Sequence, residues 1–191
     1  MAPDPDARRW RSGRPCLDFV HSGGAPEHAA HWELIHDAAD LRRWLPTILH
    51  APGLEIRASD ADVEPFRELR TAVTRLAYAV AAGASPADPV LAEHIAVVNR
   101  FAATSPLVPA LDGASTTFVA PTAAQALATL ARDAVDLFGG PLRERVRVCA
   151  APDCGLLLLD TSRPGNRRWC SMQRCGTLAK VRAHRSRGGA R

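Results

Sequence analysis

The chain has 191 residues, 47% of them apolar and only 5% aromatic, so it can build a packed core and is not globally disordered, and its abundant Ala favours helix. Its net charge of +4 conceals a split: residues 1–140 carry −5 (twelve Arg, seventeen Asp and Glu), and residues 141–191 carry +9 (twelve Lys and Arg, three acids). No apolar run approaches the roughly 18–20 residues of a membrane span, and the first fifteen residues lack the apolar stretch of a secretory signal, so a cytoplasmic chain with reduced thiols is expected.

Residues 1–15 read as an arm. Pro15–Val20 is a short apolar segment that stops at the turn-prone Ser22-Gly23-Gly24. Asp37, with Asp40 three residues on, N-caps a helix through Leu41, Trp44, Leu45 and Ile48, weakened beyond Leu45 by Pro46. Val63, Phe66, Leu69, Val73, Leu76, Ala77 and Val80 recur at helical spacing and predict a helix over 62–82, with Gly83 at its C′ position. Asp88-Pro89 reads as an N-cap and first-turn Pro ahead of a second amphipathic face, Leu91, Ile95, Val98 and Phe101. Leu107-Val108 and Thr116–Val119 flank Asp112-Gly113, a small hairpin. A third strong helix runs from Thr122 to Phe138 and ends at Gly139-Gly140-Pro141, where the charge changes sign. The boundary belongs there: a mainly α N-terminal domain with a small β-hairpin, 1–140, and a small α+β module, 141–191.

That module holds Cys149, Cys154, Cys170 and Cys175, a C-x4-C-x15-C-x4-C pattern. Two matched pairs on a longer arm are the layout of a closed tetrahedral four-cysteine zinc site, structural and not catalytic. Two disulfides or plain buried thiols are the alternatives. One zinc on four thiolates brings the tail from +9 to about +7, and it supplies the free energy that a segment of roughly this size cannot obtain from core burial. Arg145–Val148 and Leu156–Leu159 read as strands, and Ser162–Asn166 as a turn. Ser171 is positioned to N-cap a helix to about Arg185, with Cys175 in its first turn. On that helix Leu178 and Val181 are expected to pack on the hairpin, while Lys180, His184 and Arg187 fall within about 60° of one another. A cationic helix on a zinc platform suits double-stranded DNA. Arg174 and Lys180 are the candidates for groove contact, and Arg163, Arg167 and Arg168 for phosphate, joined by Arg182, His184 and Arg185. The rival is a zinc-stabilised protein-interaction module without sequence-specific DNA binding.

Longer stretches are familiar. Cys149–Cys154, Leu159–Arg163, Arg167–Met172, Cys175-Gly176, Lys180-Val181 and His184-Arg185 resemble the CGNR zinc-finger family. Cys16–Val20 and Asp40–Leu45 resemble the ABATE domain that typically precedes that finger. The resemblance implies a bacterial stress-induced transcription regulator whose finger binds DNA. It departs at two places. The Cys-Gly-Asn-Arg signature reads Cys175-Gly176-Thr177-Leu178, and the usual Phe-Val-Asn-Thr of the body reads Phe19-Val20-His21-Ser22.

A body ahead of a DNA-binding finger is a natural sensor of a small-molecule effector or protein partner. Asp18 and His21, with Arg42, Arg43 and Trp44, are its candidate ligand site; the alternative makes Asp18 a cap and His21 a surface-loop residue. His28, His31 and His36 read as surface, Cys16 as a small buried hydrophobe, and Trp32, Trp44 and Trp169 as core. No P-loop, dinucleotide-binding fingerprint or nucleophile elbow is present, so no enzyme is expected. Regulators often bind as dimers, which admits a homodimer, although no heptad is readable.

Overall fold

A computed structural model describes residues 12–23 and 33–188, the last six as backbone. Trp10, His28, His31 and Trp32, and the side chains of His184, Arg185 and Arg187, lie outside the description. Within it the body has five α-helices: α1 (Pro15–His21), α2 (Ala38–Ile48), α3 (Val63–Ala81), α4 (Ala92–Ala102) and α5 (Ala123–Gly139). Strands β1 (Pro109–Asp112) and β2 (Ser115–Phe118) form the expected hairpin, turning at Gly113 with φ +58°.

The boundaries follow local chemistry. The Asp37 carboxylate accepts the Asp40 N–H and starts α2, which runs past Pro46 by one further half-turn before stopping at Ile48. Thr122 and Gln125 form a capping box at the head of α5. Helices α3, α4 and α5 pack on one another, and α1 lies across α2, α3 and α5. The apolar positions read from helical spacing form the core: Phe66, Leu69, Val73, Leu127 and Leu130 are buried, and the Phe19 and Phe66 rings meet edge to face at 4.8 Å. Pro15–Val20, read as an apolar segment, is the N-terminal part of α1, and Cys16 is buried in it as expected.

The C-terminal region has a second antiparallel hairpin, β3 (Val146–Val148) with β4 (Leu157–Leu159), followed by helix α6 (Thr177–Gly188). Val146, Leu157 and Leu159 belong to the core of the helical body, whereas Leu158 is buried with Cys149, Cys170 and Cys175. Side chains alternate across a strand, so β4 gives one face to the body and the other to the cysteines.

Candidate metal centre and nucleic-acid interface

The cysteine site grows out of this hairpin. Cys149 leaves β3 and donates its N–H to Leu156 O at 2.8 Å. The chain then turns so that the Cys154 N–H reaches Ala151 O, and Gly155, at φ +66°, takes the left-handed conformation that returns it into β4. The second cysteine pair is drawn alongside by the Ala150 N–H on Arg168 O (2.8 Å) and by the Cys170 N–H on Cys149 Sγ (3.4 Å). Cys175 lies in a wide π-type turn, Met172–Gly176, closed by the Gly176 N–H on Ser171 O. Here the structure corrects the expectation: the Ser171 side chain caps nothing, and α6 begins at Thr177. The wide turn lets Cys175 reach the other sulfurs.

The four Sγ atoms all lie within 4.8 Å of one another, and Cys170 Sγ is 3.5 Å from both Cys154 Sγ and Cys175 Sγ. A disulfide needs about 2.05 Å; a tetrahedron of thiolates at about 2.3 Å from a zinc ion has edges of about 3.8 Å. The cysteines are free thiols arranged around one point. Their electrostatics ask for a cation. Hydrogen bonds from Cys154 and Cys170 pull the Cys149 thiol down to about 2, and the same bond to Cys149 pushes Cys154 up to about 12. Cys170 is also raised, first by Cys149 and then by Cys154. Four thiols packed this closely cannot all ionise without a counter-charge, and a dication supplies it. Four soft sulfur donors at tetrahedral spacing fit one structural zinc.

A polar bracket holds the second pair. Asp160, immediately after β4 and fully buried, accepts the Ser162 hydroxyl (2.5 Å), the Ser162 N–H (3.0 Å) and the Arg167 N–H (2.8 Å). These bonds, the Ser162 hydroxyl first, hold its carboxyl below the usual range. The Arg167 guanidinium turns inward, donating to Trp169 O (3.1 Å) and Cys170 O (2.8 Å). Neither Asp160 nor this inward duty of Arg167 was evident in the sequence.

The other candidate DNA-binding residues are arranged differently. Arg163, Arg168 and Lys180 are exposed, and Arg168 lies 5.0 Å from the Trp169 ring centroid. Trp169 itself is half-buried, packed against the cysteine cluster. Residues 166–173 line a groove of about 630 Å³. Arg174 and Arg182 line a second one, of about 400 Å³, and Arg182 pairs with Asp153 at 2.8 Å. Leu178 and Val181 are 48% and 41% exposed, so they do not pack on the hairpin as expected. The Thr177 hydroxyl donates to Met172 O across the wide turn.

The body residues read as a ligand site separate into two groups. Asp18 and His21 are buried, 3.9 Å apart, with Asp18 also 2.6 Å from His50 Nε2. His21 is therefore not a surface-loop residue. Arg42 and Arg43 are exposed on α2: Arg42 donates to Ala58 O, and Arg43 lies over the half-buried Trp44. His36 is exposed. No helix among the described residues is long and apolar enough to cross a membrane.

Residues 145–188 match the CGNR zinc finger, and residues 13–141 match ABATE, described as "Putative stress-induced transcription regulator". No curated protein matches the chain. With the four-thiolate centre in the first match and the helical body in the second, which spans well over half of the chain, this protein belongs to the ABATE family and carries a C-terminal CGNR zinc finger.

Proposed function

We propose that the chain is a zinc-dependent transcription regulator whose finger contacts double-stranded DNA and whose helical body senses a ligand or protein partner. One observation carries the DNA reading. Among the described residues around the cysteine cluster, Arg163, Arg168, Arg174 and Lys180 are tied to no carboxylate, while Arg182 is paired with Asp153. Cations left unpaired around a rigid metal centre match a phosphate backbone. Zinc, when bound, supplies a fixed tetrahedral crosslink between the two cysteine pairs. Asp160 and Arg167 hold the second pair, Arg163 and Arg168 meet phosphates, and Arg174 and Lys180 approach the groove with Arg182, His184 and Arg185 alongside. A reducing cytoplasm keeps the thiols available for the metal.

In the body, Arg42 and Arg43, the latter over the half-buried Trp44, offer a cationic surface to an effector, and Asp18 and His21, buried on α1, are a separate candidate. Thermal-shift screening of anionic metabolites against the chain and its Arg42→Ala, Arg43→Ala double variant tests that part.

Fluorescence anisotropy on duplex DNA tests the finger. The two phosphate contacts of Arg163 and Arg168 give a slope of log affinity against log salt of about −1.8. Arg163→Ala with Arg168→Ala should remove most of that slope while zinc is retained. No binding at low salt refutes the DNA reading. The protein-interaction alternative then gains from Met172, Leu178 and Val181, which are 56%, 48% and 41% exposed on the finger.

A further inference from the structure

Strand β4 has two edges as well as two faces. Its even-numbered neighbourhood faces β3: the Cys149 N–H reaches Leu156 O, and the Asp160 N–H reaches Arg145 O. The N–H groups of Leu157 and Leu159 point to the other edge, which in a two-stranded hairpin is left to water. Here the body takes them. The Leu157 N–H donates to His21 Nε2 at 3.0 Å in a fully buried contact, and the Leu159 N–H donates to Ser12 O at 2.7 Å. The Ser12 N–H in turn donates to Asp18 Oδ1 at 2.9 Å. Tyr78 on α3 adds a third tie, its hydroxyl donating to Gly155 O at 2.8 Å beside Cys154. An imidazole that accepts at Nε2 is neutral and carries its proton on Nδ1, the atom that faces Asp18 Oδ1.

We propose that zinc occupancy of the finger and folding of the helical body are coupled through β4, with His21 as the positioning residue on the body side. The chemistry follows from the two faces. Leu158 packs on the cysteines while Leu157 and Leu159 pack in the body core, and the backbone between them hangs from α1. A shift of α1 displaces β4, and β4 leads from Cys154 on one side to Asp160, which anchors the second cysteine pair, on the other. Coupling of this kind is reciprocal: whatever the body does to zinc affinity, zinc does to the body. A signal received by the body thus has a short route to the metal centre, through one buried hydrogen bond and one strand, and the finger is not an independent bead on a linker.

The test uses the full-length zinc-loaded chain and no DNA, so its outcome is separate from that of the DNA reading. Zinc transfer to a metallochromic chelator is timed for the wild type, His21→Phe, which keeps the ring but removes the acceptor, and His21→Gln, which restores an acceptor near the Nε2 position. Val98→Ala is the control, since it weakens the body from α4, whose partners are α3 and α5. Loss of a buried N–H partner predicts zinc release about tenfold faster in His21→Phe. His21→Gln should stay near wild type, and Val98→Ala should release zinc at the wild-type rate despite a lower melting temperature. Stripping zinc from the wild type should lower the melting temperature of the body and speed amide exchange at Leu157, Leu159 and along α1. Unchanged zinc release in a folded His21→Phe protein overturns the proposal. So does a body whose melting temperature and exchange ignore zinc, a result that decides the matter even if His21→Phe fails to fold.

Discussion

Replacing Arg167 by Ala removes the side chain that holds the backbone of the second cysteine pair. Its guanidinium makes two well-formed bonds, to Trp169 O and Cys170 O, the second from the residue that supplies a sulfur. Hydrogen bonds from a charged donor contribute about 1.5–3 kcal/mol each when buried. Arg167 is half-buried, so water replaces part of that, and a net loss of about 2 kcal/mol is a reasonable figure. If the loss falls on the metal-bound state, zinc affinity drops about 30-fold, since about 1.4 kcal/mol is a factor of ten. Lys is a point charge that can meet one carbonyl but not both, so Arg167→Lys should fall between. Chelator competition on the purified chain measures each affinity, with the exposed Arg163 as a control whose replacement leaves zinc binding unchanged. An Arg167→Ala chain that holds zinc as tightly as wild type refutes the bracket and returns Arg167 to the surface role expected from its charge.

Two further predictions concern the body. Thr122→Ala removes the capping box at the head of α5 and should cost about 1 kcal/mol in urea unfolding; a change below a few tenths contradicts the cap. Glu33 is mostly buried against Arg70, which donates to both carboxylate oxygens, with Nη1 to Oε1 at 2.8 Å. Burial alone would raise its pKa, but the Arg70 bonds and charge, with the Ile35 N–H, hold it below its ordinary value. A depressed carboxylate contributes stability that is present above its unfolded pKa of about 4.3 and lost as pH falls through its lower folded value. Glu33→Gln should therefore cost about 3 kcal/mol at neutral pH, because Arg70 is left buried and unpaired, and should flatten the stability profile below about pH 5. An unchanged acid limb contradicts this.

Much of the architecture was legible in the sequence because it is local. Asp37, Thr122 and the Val63–Val80 spacing each name a helix from residues within a few turns, and the cysteine spacing names its own metal. What was not legible spans long separations. His21 and Leu157 are 136 residues apart, and no local pattern ties them. A signal did exist in Leu156–Leu159: a strand half-exposed to water alternates, whereas this unbroken apolar run requires both faces buried, as Leu157, Leu158 and Leu159 are. Arg167 was misleading for another reason. An arginine in a basic stretch looks like its neighbours, and only the fold shows that the carbonyls of Trp169 and Cys170 converge on it. The wide turn at Met172–Gly176 was hidden because Ser171 is as good an N-cap by composition as any, while the need of Cys175 to reach three other sulfurs decides the backbone.

Four thiolates, and nothing else, hold one zinc between the hairpin and α6. Zinc-edge X-ray absorption of the chain purified under reducing conditions addresses it directly. The expected result is one zinc per chain with four sulfur neighbours at about 2.3 Å and no nitrogen or oxygen shell. A chain without zinc, or a first shell that includes nitrogen or oxygen, contradicts it.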